Sequence, residues 1–294
     1  MSKKILITGS KGFVGTHLVR KFTQQGIAKI EFNPQTKIWR RDEYEAELEL
    51  VTSKEDVGAV IHLGALASTR IKDKDLLYGF NYEAVKSIAK FCMEHQIALI
   101  FISSSAVYGN SGRNLSEYAR TKLLAEEYLK SNNNLRVNIV RLFNTYGFNE
   151  IHKGPMKSIV SEMIISSIKK QEIEIWKLPN LEFGQQSRDF IYVEDVVNTL
   201  LHLIADTSLT SQTIDLGTGE STSFIDLATC IASQSKDVKI VPTHVPTDYN
   251  EENYQVYTIA DTGWKVNCPG LKVSTKIYEA IPKLFTLYRN KLIY

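Results

Sequence analysis

The chain has 294 residues, 43% apolar and 23% charged, a composition that excludes collagen-like and disordered classes and, at roughly 150 residues per domain, suits one large or two coupled domains. Its 35 basic and 33 acidic residues leave a net charge of +2, so no global field draws nucleic acid or anionic lipid to the surface. Apolar runs such as IALIFI at 97–102 are strand length, far short of the roughly 20 residues of a membrane-spanning helix. Only ILIT separates Lys3 and Lys4 from a glycine loop, too little for a secretory signal. Cys92, Cys230 and Cys268 are odd in number and scattered, fitting neither a disulfide framework nor a metal knuckle. The expectation is a soluble, cytoplasmic protein with reduced thiols and no metal, membrane or nucleic-acid partner.

Apolar runs and helix-period segments alternate from the start. Ile5 to Thr8 reads as a strand, Phe13 to Gln24 as a helix stopped by Gly26, and Lys29 to Phe32 as a second strand. The charged stretch Arg40 to Glu49 reads as a solvated surface. Val60 to Leu63, Ala98 to Ile102 and Val137 to Leu142 supply further strands, with helices over Tyr82 to His95 and Tyr118 to Lys130. Such alternation predicts an α/β, doubly wound Rossmann parallel sheet. After Asn144 the pattern weakens: a helix over Met156 to Lys170 and a strand over Glu172 to Trp176 interrupt it. A strand at Asp189 to Val193, a helix at Glu194 to Ala205 and a strand at Thr213 to Leu216 then resume it. The division expected is a dinucleotide-binding domain over 1–150 and 188–217, and a smaller discontinuous α/β substrate domain over 151–187 and 218–294.

TGSKGFVG at 8–15 sets Gly9, Gly12 and Gly15 between the first strand and its helix. The first glycine permits a tight turn, the second admits a pyrophosphate to backbone N–H groups, and the third lets helix and sheet pack closely. The spacing is one residue wider at its start than G-x-G-x-x-G. At the end of the second strand, where an acid commonly binds the adenosine ribose, stands Asn33, followed by Lys37, Arg40 and Arg41. Basic groups there favour a 2′-phosphate, so NADP is expected ahead of NAD; the same residues also read as an exposed loop.

Tyr118 and Lys122 lie four positions apart in YARTKLLAEEYL, on one helix face. An ammonium beside a phenol favours phenolate, which can accept a proton from a sugar hydroxyl as hydride leaves the same carbon. Ser103, Ser104 and Ser105 end the strand before that helix, at the carboxyl edge where doubly wound sheets hold ligands.

With these segments in view, the chain resembles the extended short-chain dehydrogenase/reductase family of nucleotide-sugar enzymes almost end to end. TGSKGFVG, HLGA at 62–65, Asn81 in FNYEAVKSI, SSSAVYG at 103–109, YARTK at 118–122, RLFNTYG at 141–147, RDFIYVEDV at 188–196 and DLGTG at 215–219 occur in family order. The resemblance implies a nucleotide-diphosphate sugar substrate; a homo-oligomer is expected because symmetric dimers are the commonest assemblies. It makes Ser104 the catalytic hydroxyl, Tyr118 the acid/base and Lys122 its activator and ribose anchor. Cofactor contacts are implied at Gly9, Lys11, Gly12, Phe13, Gly15, Asn33, Leu63, Gly64, Ala65, Asn81 and Thr145, and substrate contacts at Ser105 and Asn144.

Dehydratases of the family follow the catalytic hydroxyl with an Asp-Glu pair; Ser105 and Ala106 stand here, which leaves epimerisation or reduction. FNTYGFNEIHKGPMKS at 143–158 is similar to the ADP-glycero-manno-heptose 6-epimerases, and the similarity makes Lys153 a second acid/base. ENYQVYTIAD at 252–261 continues the likeness, with Tyr254 as a substrate contact. His152 and Lys153 also read as ordinary loop residues. Arg188 either anchors the diphosphate or pairs with Asp189 or Asp195. Pro155, Glu162 and the short GNSGRNLSE loop between Ser104 and Tyr118 depart from that subfamily. A 4-epimerase, a 4-keto-sugar reductase and a non-catalytic dinucleotide sensor are the other readings.

Overall fold

The computed structural model describes residues 3–35, 38–67, 71, 73–110, 115–206, 211–246, 251–252, 254–267, 271, 273 and 275–293, the side chains of 266, 267 and 293 excepted. In chain order the elements are β1 (Lys4–Thr8), α1 (Phe13–Gln25), β2 (Lys29–Phe32), α2 (Arg41–Thr52), β3 (Val57–His62), α3 (Lys74–Tyr78), α4 (Ala84–Glu94), β4 (Ala98–Ser104), α5 (Glu117–Ser131) and β5 (Val137–Leu142). Then follow β6 (Asn144–Tyr146), α6 (Ile159–Lys170), β7 (Glu172–Trp176), β8 (Ser187–Tyr192), α7 (Val193–Ala205), β9 (Thr213–Leu216), β10 (Ser221–Ser223), α8 (Phe224–Ala232), β11 (Lys239–Thr243) and α9 (Ile277–Ile293).

The chain divides into two compact units, Met1–Leu142 with Val197–Asp215 and Trp264–Leu271, and Phe143–Val196 with Leu216–Gly263 and Lys272–Tyr294. The first unit is built on a six-stranded sheet in the order β2-β1-β3-β4-β5-β9. β1 runs parallel to β2, with Ile5 opposite Lys29 and Thr8 opposite Phe32, and parallel to β3, with Leu6 opposite Val60 and Thr8 opposite His62. Side chains alternate between the two faces of a strand. Leu6, Val60, Leu99, Phe101, Val137 and Ile139 therefore pack together with Ala84, Val85 and Ile88 of α4 and Ala125 and Leu129 of α5. Ile7, Ile61 and Ile100 occupy the opposite parity and are buried as well, which is why these strands read as continuous apolar runs. The chain leaves β1 on one side for β2 and returns on the other for β3, so the switch point of the sheet lies between β1 and β3.

Several elements differ from the sequence expectation. The 40–49 stretch is not all solvated surface: it belongs to α2, whose Tyr44, Leu48 and Thr52 are buried, and Tyr44 and Leu48 join the core that includes Phe32. The helix expected from Met156 starts at Ile159, capped by the Ser158 side chain, because Gly154 at φ 54 and Pro155 end a separate turn over 151–156. The helix expected from Tyr82 is preceded by a π turn over Gly79–Glu83, where the Gly79 backbone lies against the Trp39 side chain. The strand expected to rejoin the cofactor sheet near Asp189 belongs instead to the second unit. There β8 pairs with β6 in parallel and β10 antiparallel. A separate parallel pair, β7 with β11, completes that unit's strands.

Asp189 organises the second unit. Its carboxylate accepts the Thr218 N–H (2.8 Å) and hydroxyl (2.7 Å), the Gly219 N–H (2.8 Å) and the Ala260 N–H (3.0 Å). This set of bonds satisfies a fully buried carboxylate and fastens the DLGTG turn and the 258–261 segment to β8.

Backbone crowding at the switch point is measurable. Gly9 adopts φ +69, and a Cβ there would stand 2.7 Å from the Gly64 backbone. Gly9→Ala is therefore expected to lose at least roughly 1–3 kcal/mol of stability from the left-handed conformation alone, read as a lower urea midpoint at unchanged m-value.

Candidate active site

At the end of β1 the chain turns so that the Gly12 N–H donates to the Gly9 carbonyl (3.0 Å). A Cβ on Gly15 would stand 2.3 Å from that same carbonyl, so the third glycine is what lets α1 approach the turn. The open side of the turn differs: Lys11 and Gly12 are exposed, a Cβ on Gly12 would meet only the Gly9 carbonyl at 3.3 Å, and no side chain caps α1. That geometry fits a pyrophosphate at a helix N-terminus. Phe13 is buried beneath the turn, edge-on to His17. On the facing strand end, Leu63 N–H donates to the Thr8 carbonyl (3.2 Å) and Gly64 N–H to Thr8 Oγ1 (3.1 Å), and Ala65 follows in the same partly buried loop.

Asn33 is tied to this turn, accepting the Lys11 N–H (3.3 Å) and donating to Ser10 Oγ (2.7 Å). Ser10 in turn donates to Glu31 (2.8 Å), so β2 does bring a carboxylate to the glycine turn, two residues before Asn33. Arg40 pairs with Glu43 at 3.4 Å and Arg41 with Glu83, and Lys37 lies outside the described residues. The basic groups that favour a 2′-phosphate are thus already matched with carboxylates where they are described. Asn81, expected to touch the cofactor, is fully buried: it accepts the Leu66 N–H (2.7 Å) and donates to the Leu66 carbonyl and Thr121. It shapes the 63–67 loop from below.

Ser104 ends β4, and its hydroxyl oxygen accepts the Ala106 N–H (3.2 Å). Ser105 follows, buried, in the turn that Ser104 caps. Tyr118 rides on the first turn of α5, where Ser116 caps the helix, and it is hydrogen-bonded to Ser104. One turn on, Lys122 is 2% exposed and donates to the Ile102 carbonyl (2.8 Å), its ammonium 4.7 Å from the Phe101 ring centroid. Burial pushes Lys122 down to about 7, with Glu126 opposing. Burial also pushes Tyr118 upward, against the Ser104 hydrogen bond. Desolvation of the phenol thus opposes the phenolate that the Tyr118–Lys122 spacing favours. His62, bonded to Thr8 (2.9 Å), is held neutral by burial and by Lys122, at about 3.

The second unit holds the remaining candidates. Asn144 donates to the Asp189 carbonyl (3.2 Å) and to Thr258 (3.0 Å). Thr145 donates to the Phe143 carbonyl (3.0 Å). Lys153 is not a desolvated, solitary amine: its ammonium pairs with the fully buried Glu150 at 2.9 Å, and its side chain is 27% exposed. His152 is exposed. Arg188 pairs with neither Asp189 nor Asp195, whose carboxylates are occupied by Thr218, Gly219 and Ala260 and by Thr275 respectively. The guanidinium, 8% exposed, donates to the Ser187 carbonyl (2.9 Å) and bonds to Tyr254. It lies 5.0 Å from the Tyr254 and 5.7 Å from the Phe224 ring centroid, and burial lowers its proton affinity. Among the described residues no carboxylate lies within ion-pair distance of it. A cavity of about 340 Å³ is lined by Arg188, Asn144, Lys157, Tyr254, Phe224 and Trp176, among others. Trp176 ends β7 and Phe224 opens α8, and nothing in their sequence context separates them from ordinary packing aromatics.

Cys92 is buried and Cys230 half-buried, while Cys268 lies outside the described residues. Among the described residues no cluster of potential ligands could hold a metal ion, and no helix is long and apolar enough to cross a membrane.

The parallel sheet, the glycine turn at its switch point and the serine, tyrosine and lysine beside it define a dinucleotide-binding protein of the Rossmann class. The sequence profile of the NAD dependent epimerase/dehydratase family matches residues 5–217, and the chain belongs to that family. It is 30% identical over 300 residues to the ADP-L-glycero-D-manno-heptose-6-epimerase of Fusobacterium nucleatum, across 87% of this chain and 89% of that protein. The enzyme of the same name from Brachyspira hyodysenteriae is 29% identical over 290 residues, with the same coverage. Among solved structures, the Helicobacter pylori ADP-L-glycero-D-manno-heptose-6-epimerase matches with a TM-score of 0.81 at 20% identity, over 99% of this chain and 97% of that one. The Thermus thermophilus UDP-glucose 4-epimerase complex with NAD matches at 0.79 and 18%, over 98% and 100%.

Lys122 also makes stability depend on pH. Its folded value of about 7 lies below its ordinary 10.5. Between those values the unfolded chain binds more protons, so stability rises with pH across that window, and the cost of burying the charge is greatest below 7. Lys122→Met is expected to raise the melting temperature of the cofactor-free protein at pH 6, and the gain should shrink by pH 9 in paired calorimetric scans.

Proposed function

We propose that the protein is a nucleotide-sugar epimerase of the ADP-glycero-manno-heptose type, which inverts one sugar carbon by removing and returning hydride. The observation that carries the nucleotide half is Arg188. Burying a guanidinium without a carboxylate is costly, and an anion entering the adjoining cavity offsets that cost through charge-assisted hydrogen bonds. Lys157 and Asn144 line the same cavity, which suits a diphosphate, and Trp176 with Tyr254, 6.2 Å apart between ring centroids, suits a planar base. The choice of sugar rests on the heptose-epimerase relatives and on the 143–158 segment.

A nicotinamide dinucleotide supplies the hydride acceptor and donor when bound. Gly9, Lys11, Gly12, Phe13 and Gly15 would hold its pyrophosphate region, Asn33 its ribose, and Leu63, Gly64, Ala65 and Thr145 its flanks; Asn81 would act on it through the loop it shapes. Lys122 would bind the nicotinamide ribose. Tyr118, in its phenolate form, would take the proton of the sugar hydroxyl, with Ser104 sharing that oxygen by a hydrogen bond. Ser105, Asn144, Arg188 and Tyr254 would hold the substrate while its carbonyl form turns. Lys153, held by Glu150, would give the proton when hydride returns to the other face, and proton exchange with solvent would then reset both groups. Because each turnover returns the hydride it removes, an epimerase regenerates its cofactor, whereas a keto-sugar reductase consumes it.

Proton NMR of ADP-D-glycero-D-manno-heptose incubated with protein and catalytic NADP is expected to show the L-glycero epimer with no net cofactor change; no epimer, with cofactor bound, would reject this substrate. Arg188→Leu is expected to raise KM for the nucleotide sugar by roughly tenfold to 150-fold, the equivalent of about 1.5–3 kcal/mol for a hydrogen bond to a charged group, with the circular dichroism spectrum unchanged.

A further inference from the structure

One turn beyond Lys122 on α5 lies a carboxylate to which the reaction above assigns nothing. Glu126 has no exposed side-chain surface. Its Oε1 accepts the Ser103 hydroxyl at 2.6 Å. Arg141, in β5, grips it from the side: Nε donates to Oε1 at 2.9 Å and Nη2 to Oε2 at 2.6 Å. Arg141 then extends the chain of contacts, donating through Nη1 to the Tyr108 hydroxyl at 2.7 Å, and that hydroxyl donates to Asp215 at 2.5 Å. Lys130 reaches the outer oxygen of Glu126 at 3.4 Å from the surface. The carboxylate thereby joins α5 to the end of β4, one residue before Ser104, and to the end of β5; through Arg141 and Tyr108 the network continues to β9.

The groups around Lys122 leave Glu126 a second task. β4 offers the Ile102 carbonyl and the Phe101 ring. β3 offers His62, which is neutral and whose Nε2 has no partner among the described residues. α5 itself offers Tyr118 on one side and Glu126 on the other. Glu126 is the only one of these that is anionic, and its charge favours the ammonium against the desolvation that surrounds it.

We propose that Glu126 is a positioning residue of this active site: it locks the strand end that presents Ser104, and it sets a fixed negative charge one helical turn from the Lys122 ammonium. The functional weight of Lys122 rests on the epimerase reading, but the charge relation does not. Arg141 keeps Glu126 ionised at a depth where a solitary carboxylate would take up a proton, with Ser103 and Lys130 acting in the same sense. The bidentate grip also holds the carboxylate in place, so that its distance from Lys122 is set by the helix and not by a free rotamer.

The test follows the titration of Lys122 by NMR of the full chain labelled with carbon-13 at lysine Cε, the resonance being assigned by its loss in Lys122→Met. Glu126→Gln is expected to lower the Lys122 midpoint by about one unit. Glu126→Asp, which keeps the charge one methylene away, is expected to restore most of that shift, and Ser103→Ala to leave the midpoint in place. A role confined to packing would instead group Gln and Asp together. The double variant Glu126→Met with Arg141→Met removes the ion pair as a unit and leaves no unpaired buried charge, so it keeps the test open if Glu126→Gln does not fold; because the Arg141 cation leaves with the carboxylate, its midpoint should fall by less than in Glu126→Gln. An unmoved Lys122 in every folded variant that lacks the Glu126 charge, or an equal fall with Asp and Gln, overturns the proposal. The reading is taken on the protein alone, so failure of the substrate assignment would leave this result standing. Where the epimerase turns over, the alkaline limb of its pH profile should move down by the same interval in Glu126→Gln.

Discussion

The first unit depends on a backbone-to-backbone approach that no side chain could survive. At the end of β1, Gly9 lies against Gly64 in the loop after β3, and Gly15 brings α1 onto the Gly9 carbonyl. These contacts set the spacing between the two strand ends at the switch point of the sheet, and they aim the start of α1 at the opening. The nearby hydrogen bonds of Thr8 to His62 and to Gly64 and of Asn33 to Ser10 and Lys11 are short-range consequences of that approach. The pyrophosphate site proposed here requires glycine for closeness and the parallel sheet for direction.

The protein buries charge in two contrasting ways. Asp189 and Glu150 are saturated: each carboxylate receives at least four donors, from backbone N–H groups and hydroxyls, with Lys153 added at Glu150. Such groups hold loops in place, because removing any partner leaves a costly unsatisfied oxygen. Lys122 and Arg188 are under-compensated. Lys122 has a carbonyl, a ring and a carboxylate one turn away, and Arg188 has a carbonyl and a phenol. Charged groups left short of partners inside a fold mark places where a ligand completes the set, and in each unit the under-compensated cation belongs to the proposed chemistry.

Much of the first unit was legible in the sequence. Gly9, Gly12 and Gly15 punctuate a strand and a helix whose periods differ, and Tyr118 and Lys122 share a face by helix geometry alone. The elements that escaped have local causes. The charged surface of 40–49 masked Tyr44 and Leu48, which pack inward from α2, because two apolar positions among many charges give a weak periodic signal. The start of α6 was displaced because Gly154, Pro155 and the Ser158 cap act over three or four residues, below the window in which helical period is read. The β8 strand was recognised as a strand but assigned to the wrong sheet, since an apolar run does not carry the identity of its partner.

What the sequence by itself determined is therefore the information that travels along the chain: the order of strands and helices, the glycine turn, the i, i+4 pairing of Tyr118 with Lys122, and the missing Asp-Glu pair after Ser104. What only the tertiary structure decided is the information that depends on which distant residues come together and how much water they exclude. Asn81 turned inward to hold the 63–67 loop, and Arg188 found two rings instead of an aspartate. Lys122 lost its solvent and with it its ordinary proton affinity, and partial burial raises that of Tyr118. Covalent order and helical period are local properties of a polypeptide, whereas the partner of a buried charge is fixed by packing across 15 or more residues, as Glu126 and Arg141 show, and no spacing rule specifies it.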